Sequence, residues 1–374
     1  MTQKPWLNSY PAGVPAQIDL STYYSVVDVL EQSCQKFRDK TAFICMGSEI
    51  DFGELDRLSR NFAATLQSRG LKQGDRVALM MPNILQYPVA LFGILRAGMV
   101  VVNTNPLYTA RELRHQLVDS GARAIVVIEN FAQVLQQVRH EVPVEHVFTT
   151  RVGDMLDFPR GAMVNFVLKY VKKVIPAWSL PGSGSFSDAL SDGEKLPLAP
   201  ASVGFEDIAF LQYTGGTTGV SKGAMLSHRN MVYNVQQSIT WQGAAYVGVK
   251  PIVAITALPL YHIFSLQGNC LTVMAQGGEN VLITNPRDFD GFAKEIAKFE
   301  FNMFTGVNTM FAALMDSPNF SEIDFSYLRV CIGGGMAVQP AIAKECCEPA
   351  DRVRIAFDGL RGLAVATENK DPLS

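Results

Sequence analysis

The chain has 374 residues, 48% of them apolar, enough to bury a large core and, at this length, to divide into more than one domain. Its 32 basic and 35 acidic residues leave a net charge of −3, which gives no electrostatic footprint for nucleic acid, so nucleic acid is excluded as an expected partner. Six cysteines (Cys34, Cys45, Cys270, Cys331, Cys346 and Cys347) lack C-x-x-C spacing, which argues against a zinc site or a disulfide framework and for a reducing compartment. The start, Met1-Thr2-Gln3-Lys4-Pro5-Trp6, has no apolar signal-peptide run, and no stretch approaches the roughly 18 uninterrupted apolar residues of a spanning helix. A cytoplasmic protein is expected.

From about residue 25 onward, short β-branched runs alternate with helical patterns, which predicts layered α/β subdomains with largely parallel sheets. Val77 to Met81 reads as a strand, followed by a helix ending near Arg96-Ala97-Gly98 and a strand from Met99 to Val102. Thr109-Ala110-Arg111-Glu112 fits a capping box and opens a helix to about Asp119. A strand from Ala124 to Ile128 and a helix from Phe131 to Val138 follow.

Met163, Phe166, Val167, Tyr170, Val171 and Val174 fall at helical spacing beside Arg160, Lys169, Lys172 and Lys173. Such a helix suits either an anionic membrane surface or packing on the core. Residues 176–200 are rich in Gly, Ser, Pro and Asp and read as a surface connection between a first α/β subdomain, 1–175, and a second, 201–345. Residues 346–374 form an atypical tail.

The strongest feature is Tyr213-Thr214-Gly215-Gly216-Thr217-Thr218-Gly219-Val220-Ser221-Lys222-Gly223, read as a loop between the strand-like Ile208 to Gln212 and a helix opened by Ser227. The glycines let backbone N–H groups converge on an anion, the hydroxyls donate to phosphate oxygens, and Lys222 adds a mobile positive charge. The run predicts a phosphate cradle. It is not G-x-x-x-x-G-K-[ST], because Ser221 precedes Lys222, and it does not give G-x-G-x-x-G.

This run is similar to the signature of the adenylate-forming superfamily of acyl-CoA synthetases, luciferases and peptide-synthetase adenylation domains. The segments Leu85 to Gly98, Asn105-Pro106-Leu107-Tyr108-Thr109 and Pro5-Trp6-Leu7-Asn8-Ser9-Tyr10-Pro11 resemble bacterial long-chain fatty-acyl-CoA synthetases, and the likeness runs to about Lys344. The resemblance implies ATP, Mg2+ and coenzyme A, with Thr214, Gly215, Gly216, Thr217, Thr218, Gly219, Ser221 and Lys222 on the ATP phosphates. It also implies a long-chain fatty acid as partner; peripheral contact with the inner face of the cell membrane, through the basic helix above, and a homodimer are further expectations.

On the substrate side, Leu258-Pro259-Leu260-Tyr261-His262-Ile263-Phe264 resembles the family segment in which a ring lies between the phosphate site and the acyl pocket, which assigns His262, with Lys222, a catalytic role. Read alone, a single His after a strand also suits a structural position. Phe301 to Met315 reads as a strand and apolar helix that resemble an acyl-tunnel wall, with Tyr261, His262, Gly306 and Val307 as the pocket and Gly306 leaving space for a chain. Leu328 to Ile332 is a strand running into Gly333-Gly334-Gly335 and a helix from Met336, by resemblance the adenine-side loop.

Beyond Gln339 the pattern breaks. The family's aromatic-Gly-x-Thr-Glu motif is not found, and Thr367-Glu368 stands in another context and receives no role. The ribose-binding aspartate, the hinge and the small C-terminal domain are also not found, which leads to the expectation of an impaired chain, with a reading-frame change near Lys344 as its origin. Two further readings stay open: an adenylating enzyme for another carboxylic acid, and a non-catalytic nucleotide- or lipid-binding remnant.

Overall fold

The computed structural model describes residues 4–10, 13–214, 221–249, 251–335, 354–359 and 362–365. They divide into two compact units, the first comprising Tyr23–Val232 with Leu260–Ile263, and the second the described residues of Met1–Thr22, Tyr233–Pro259 and Phe264–Ser374.

The first unit opens with α1 (Val26–Lys36), a hairpin of β1 (Thr41–Cys45) and β2 (Ser48–Asp51), and α2 (Phe52–Ser68). It continues through β3 (Arg76–Met80), α3 (Gln86–Arg96), β4 (Val100–Asn103), α4 (Ala110–Ser120), β5 (Ala122–Ile128), α5 (Ala132–Val138) and β6 (His146–Thr150). The remaining elements are α6 (Arg160–Phe166), β7 (Gly184–Ser185), α7 (Phe186–Glu194), β8 (Ile208–Thr214) and β9 (Lys222–Ser227). Seven of these strands form a sheet in the order β7-β6-β5-β3-β4-β8-β9, parallel except where β9 turns back against β8. The near-continuous apolar runs of β3, β4 and β5 follow from this position, since a parallel strand covered on both faces has no reason to alternate.

Local chemistry sets the helix ends. The Thr109 hydroxyl accepts the Glu112 N–H and the Glu112 carboxylate accepts the Thr109 N–H at 2.8 Å, while Gly121 closes α4 at φ +60°. Within residues 176–200, expected to be a surface connection, the structure instead places α7, with Phe186, Ala189 and Leu190 buried. Phe186 meets Phe62 edge on, and the Thr65 hydroxyl donates to the Ala189 carbonyl. The Gly/Ser/Asp composition that suggested a loop hides three apolar residues at helical spacing.

Helix α8 (His228–Gln242) begins in the first unit and ends in the second. The second unit then carries β10 (Val253–Thr256), α9 (Ile263–Ser265, entered from the first unit), a π-helical stretch Leu266–Leu271, α10 (Thr272–Ala275) and β11 (Glu279–Leu282). It ends with α11 (Phe289–Ile296), β12 (Met303–Gly306), α12 (Asn308–Met315), β13 (Val330–Gly333), β14 (Arg354–Gly359) and β15 (Gly362–Val365). These strands run in the order β15-β14-β13-β12-β10-β11, parallel up to the antiparallel β14-β15 pair. Phe301, Phe304, Phe292 and Phe311 interlock edge to face in its core.

Candidate active site

The glycine-rich run connects two antiparallel strands. Strand β8 ends at Thr214, β9 begins at Lys222, and the two residues face each other across the pair, with Tyr213 opposite Gly223. Lys222-Gly223-Ala224-Met225-Leu226-Ser227 is thus a strand where the sequence predicts a loop ahead of the helix; it has no clean apolar alternation to mark it, and Met225 is exposed. Ser227 does open α8, its hydroxyl accepting the Asn230 N–H at 3.3 Å. Gly215, Gly216, Thr217, Thr218 and Gly219 lie outside the described residues. Thr214 and Lys222 are exposed, so both limbs reach solvent.

Helix α4 grips both limbs. His115 and Asp119 are four residues apart and share one face. Asp119 accepts the Tyr213 hydroxyl at 2.5 Å on β8, and His115 Nε2 donates to the Ser221 carbonyl at 2.9 Å next to β9. Burial and the Asp119 carboxylate both hold the Tyr213 phenol above its ordinary range, so it stays a donor. The same ring lies on Gly223, where a Cβ would stand 2.9 Å from Tyr213 Cε2. Only glycine fits there.

The segment Leu260–Ile263 belongs to the same unit and is held by a buried polar network. Asn83 Oδ1 accepts the Leu260 N–H at 2.8 Å. The Tyr87 Oη lies 2.9 Å from the Leu260 carbonyl and 2.5 Å from Asn103 Oδ1, and Asn103 Nδ2 donates to Gln212 Oε1 at 3.0 Å. Gln212 Nε2 in turn donates to the Tyr261 carbonyl at 2.9 Å. Tyr87 has one hydroxyl proton for these two acceptors, and from Asn103 the donations run one way through Gln212 to the Tyr261 carbonyl, the arrangement in which neighbouring hydrogen bonds polarise one another. Gln212 lies on β8 two residues before Thr214, so one strand supports the hairpin and the backbone ahead of His262. Burial lowers the His262 pKa, which keeps its imidazole neutral at neutral pH. Asn83, Tyr87, Asn103 and Gln212 received no site role from the sequence, because their partners lie up to 177 residues away.

In the second unit, Gly306 of β12 pairs with Gly333 of β13, and the Gly334 N–H donates to the Gly306 carbonyl at 3.1 Å. Gly335 follows at φ +75°, open to glycine alone without strain. Gly306, Val307, Gly333, Gly334 and Gly335 thus gather at the carboxyl end of a parallel sheet, where ligands of open α/β folds bind. The space over Gly306, expected to be free for an acyl chain, is filled by this unit's own side chains. A Cβ there would stand 2.5 Å from Met310 Cε and 2.6 Å from Phe311 Cζ. The helix predicted from Met336 lies outside the described residues. Among the described residues no group of three His, Cys, Asp or Glu side chains is placed to hold a metal ion, and no helix is long and apolar enough to cross a membrane.

Comparison with known proteins places this geometry in context. A family model described as AMP-binding enzyme matches residues 30–354. A long-chain-fatty-acid–CoA ligase of Escherichia coli O157:H7 is 54% identical over 344 residues, covering 92% of this chain and 61% of the relative. One from Bacillus subtilis (strain 168) is 32% identical over 347 residues, again covering 61% of its length. The chain therefore spans about three fifths of the length of the curated relatives it matches. Among solved structures, an anthranilate CoA ligase in complex with anthranoyl-AMP superposes with a TM-score of 0.74 at 23% identity, over 92% of this chain and 62% of that one. A long-chain-fatty-acid-CoA ligase from Archaeoglobus fulgidus gives 0.71 at 24%, over 94% and 67%. At such identities these two likenesses speak to the fold, the mixed α/β architecture with two largely parallel sheets.

Proposed function

The chain belongs to the AMP-binding enzyme family, and from that premise we propose that it serves the ATP-dependent activation of a long-chain fatty acid to its CoA thioester. A carboxylate oxygen attacks the α-phosphorus of ATP and pyrophosphate leaves. The thiolate of coenzyme A then attacks the acyl carbon of the acyl-adenylate, and AMP leaves with the C–O bond's electron pair. The observation that most supports this reading is the Gly/Thr/Ser/Lys run flanked by residues that α4 holds, on the strand that also fixes the backbone before His262.

In this reading the backbone N–H groups of Gly215, Gly216 and Gly219, the hydroxyls of Thr214, Thr217, Thr218 and Ser221, and the Lys222 ammonium take the β- and γ-phosphates. They stabilise charge that grows on the leaving group, which is where preorganised donors lower a barrier. Neutral His262 lies on the acyl side without forming the ion pair an imidazolium would make with the incoming carboxylate, which leaves the carboxylate oxygen free to attack. In the first unit Tyr261 and His262 are assigned to the acyl side; in the second unit Gly333, Gly334 and Gly335 are assigned to the adenine side and Gly306 and Val307 to the acyl side, where passage of a chain over Gly306 requires Met310 and Phe311 to swing away. Magnesium enters as the counter-ion of the nucleotide, as MgATP, and no step is assigned to a protein-held ion. The work is done in the cytoplasm, at the inner face of the membrane where long acyl chains partition.

The test is formation of labelled acyl-AMP from ATP with palmitate, octanoate or benzoate. Preference for palmitate is the expected result, since each methylene buried in an apolar channel contributes about 0.8 kcal/mol. Preference for benzoate would move the chain to another acid.

A further inference from the structure

The stretch from Phe158 to Val174 takes no part in the site described above, yet six of the fourteen exposed large hydrophobic side chains among the described residues fall within it. They are Phe158, Met163, Phe166, Tyr170, Val171 and Val174, with Phe158 90% exposed. In α6 only Gly161 is buried, and in the π-helical turn that continues it, Val167–Val171, nothing is. A helix packed on a core buries its apolar stripe. This one turns it outward.

The exposure is not that of a loose end. Gly161 and Gly153 approach so closely that a Cβ on Gly161 would meet the Gly153 carbonyl at 2.2 Å. The Gly153 N–H donates to Asn165 Oδ1 at 2.8 Å, the Asp157 N–H to the Ser48 hydroxyl at 2.9 Å, and Arg160 Nη1 to the Met46 carbonyl at 2.9 Å. The far end is closed by a Val174 N–H to Leu168 carbonyl bond of 3.1 Å, with Lys173 in the left-handed region at φ +51°. The polar base of the element is tied to the first unit, and its apolar side is held out from it.

Its charge indicates what covers that side. Lys169, Lys172 and Lys173 border the apolar stripe, and none takes part in an ion pair among the described residues. Lys169 Nζ lies 5.7 Å from the centroid of the Tyr170 ring, which itself stacks near Phe166 at 5.1 Å. Aromatic rings and long basic side chains are the groups that settle at a bilayer interface, rings at headgroup depth and ammonium groups on lipid phosphates. A second copy of the chain docked by a two-fold axis would bring these lysines against their own symmetry mates, which disfavours self-association through this face. The chain as a whole carries −3, so an anionic membrane attracts this face and repels the remainder.

We propose that residues 158–174 form the docking surface through which the protein seats on an anionic phospholipid bilayer. The proposal deepens the reading of a ligase working at the membrane and rests on that reading only for its purpose. Binding to vesicles is measured without ATP or acid, so it stands or fails separately from the chemistry.

The experiment is co-sedimentation of the 374-residue chain with vesicles of phosphatidylethanolamine and phosphatidylglycerol, against vesicles of phosphatidylcholine. The expected result is salt-sensitive binding to the anionic vesicles only. The triple variant K169Q/K172Q/K173Q should bind about a hundredfold more weakly, from about fivefold per lysine. The variant F166S/Y170S should lose binding while keeping the parent's unfolding transition, because both rings are already in solvent. Failure of the parent chain to bind, or equal binding by parent and both variants, overturns the proposal. So does a parent chain that ignores vesicles and sediments as a dimer which F166S/Y170S dissociates.

Discussion

His228 shows how one buried side chain ties stability to pH. Its Nδ1 accepts the Val26 N–H at 3.0 Å at the start of α1, and burial pushes its pKa down to about 4 against an opposing pull from Asp207. The unfolded chain, with an ordinary histidine near 6.5, binds the proton first as pH falls, so folding loses stability between about pH 6.5 and 4 and none above that window. The loss approaches about 3 kcal/mol. Urea unfolding at pH 7.5 and at pH 4.5 should show it, and H228Q should flatten the difference even where it lowers stability at both. Gln212 is the second test at this scale. Q212L leaves the buried Asn103 Nδ2 without its Gln212 acceptor and takes one donor from the Tyr261 carbonyl, a cost of about 1 to 3 kcal/mol, and should lower the rate of adenylation more than it weakens ATP binding. His262 and Lys222 could be singled out from local motifs. Asn83, Tyr87, Asn103 and Gln212 could not, because nothing along the chain announces that Tyr87 meets a carbonyl 173 residues later.

At the scale of elements, α4 joins what was legible to what was not. Its capping box is an i, i+3 exchange written in four consecutive residues, and Thr109-Ala110-Arg111-Glu112 predicts it directly. T109A should destabilise the protein by about 1 kcal/mol in denaturant unfolding. That the same helix braces the hairpin depends on the register of β8 against β9, which the sequence hides because β9 lacks alternation and its exposed Met225 breaks any inward-facing pattern. D119A should therefore weaken ATP binding by freeing Tyr213, whereas D119N, which keeps an acceptor oxygen, should recover most of it. Titration calorimetry separates the two. In the same way α7 was concealed by a loop-like composition, although Phe186, Ala189 and Leu190 supply the buried side that holds it.

At the scale of the molecule, the parallel sheets were the most legible feature. Strands buried on both faces carry near-continuous apolar runs, and β3, β4 and β5 do, their polar residues being Arg76, Asn103 and Arg123 at or near the strand ends. What composition could not provide is the order of strands, in which β8, after more than fifty residues beyond β6, returns to lie beside β4 and so carries the hairpin to the edge of the first sheet. The Gly306 and Gly333 strand ends form a second locus, in the second unit, where Met310 and Phe311 fill the space a fatty chain would need. In the proposed activity Lys222, in the first unit, acts on the phosphates. The most direct measurement is single-turnover, palmitate-dependent release of pyrophosphate from MgATP by the 374-residue chain and by its K222A variant. Release by the parent and a fall of roughly a hundredfold in the variant are expected. Release that is unchanged by K222A would contradict the role given to Lys222.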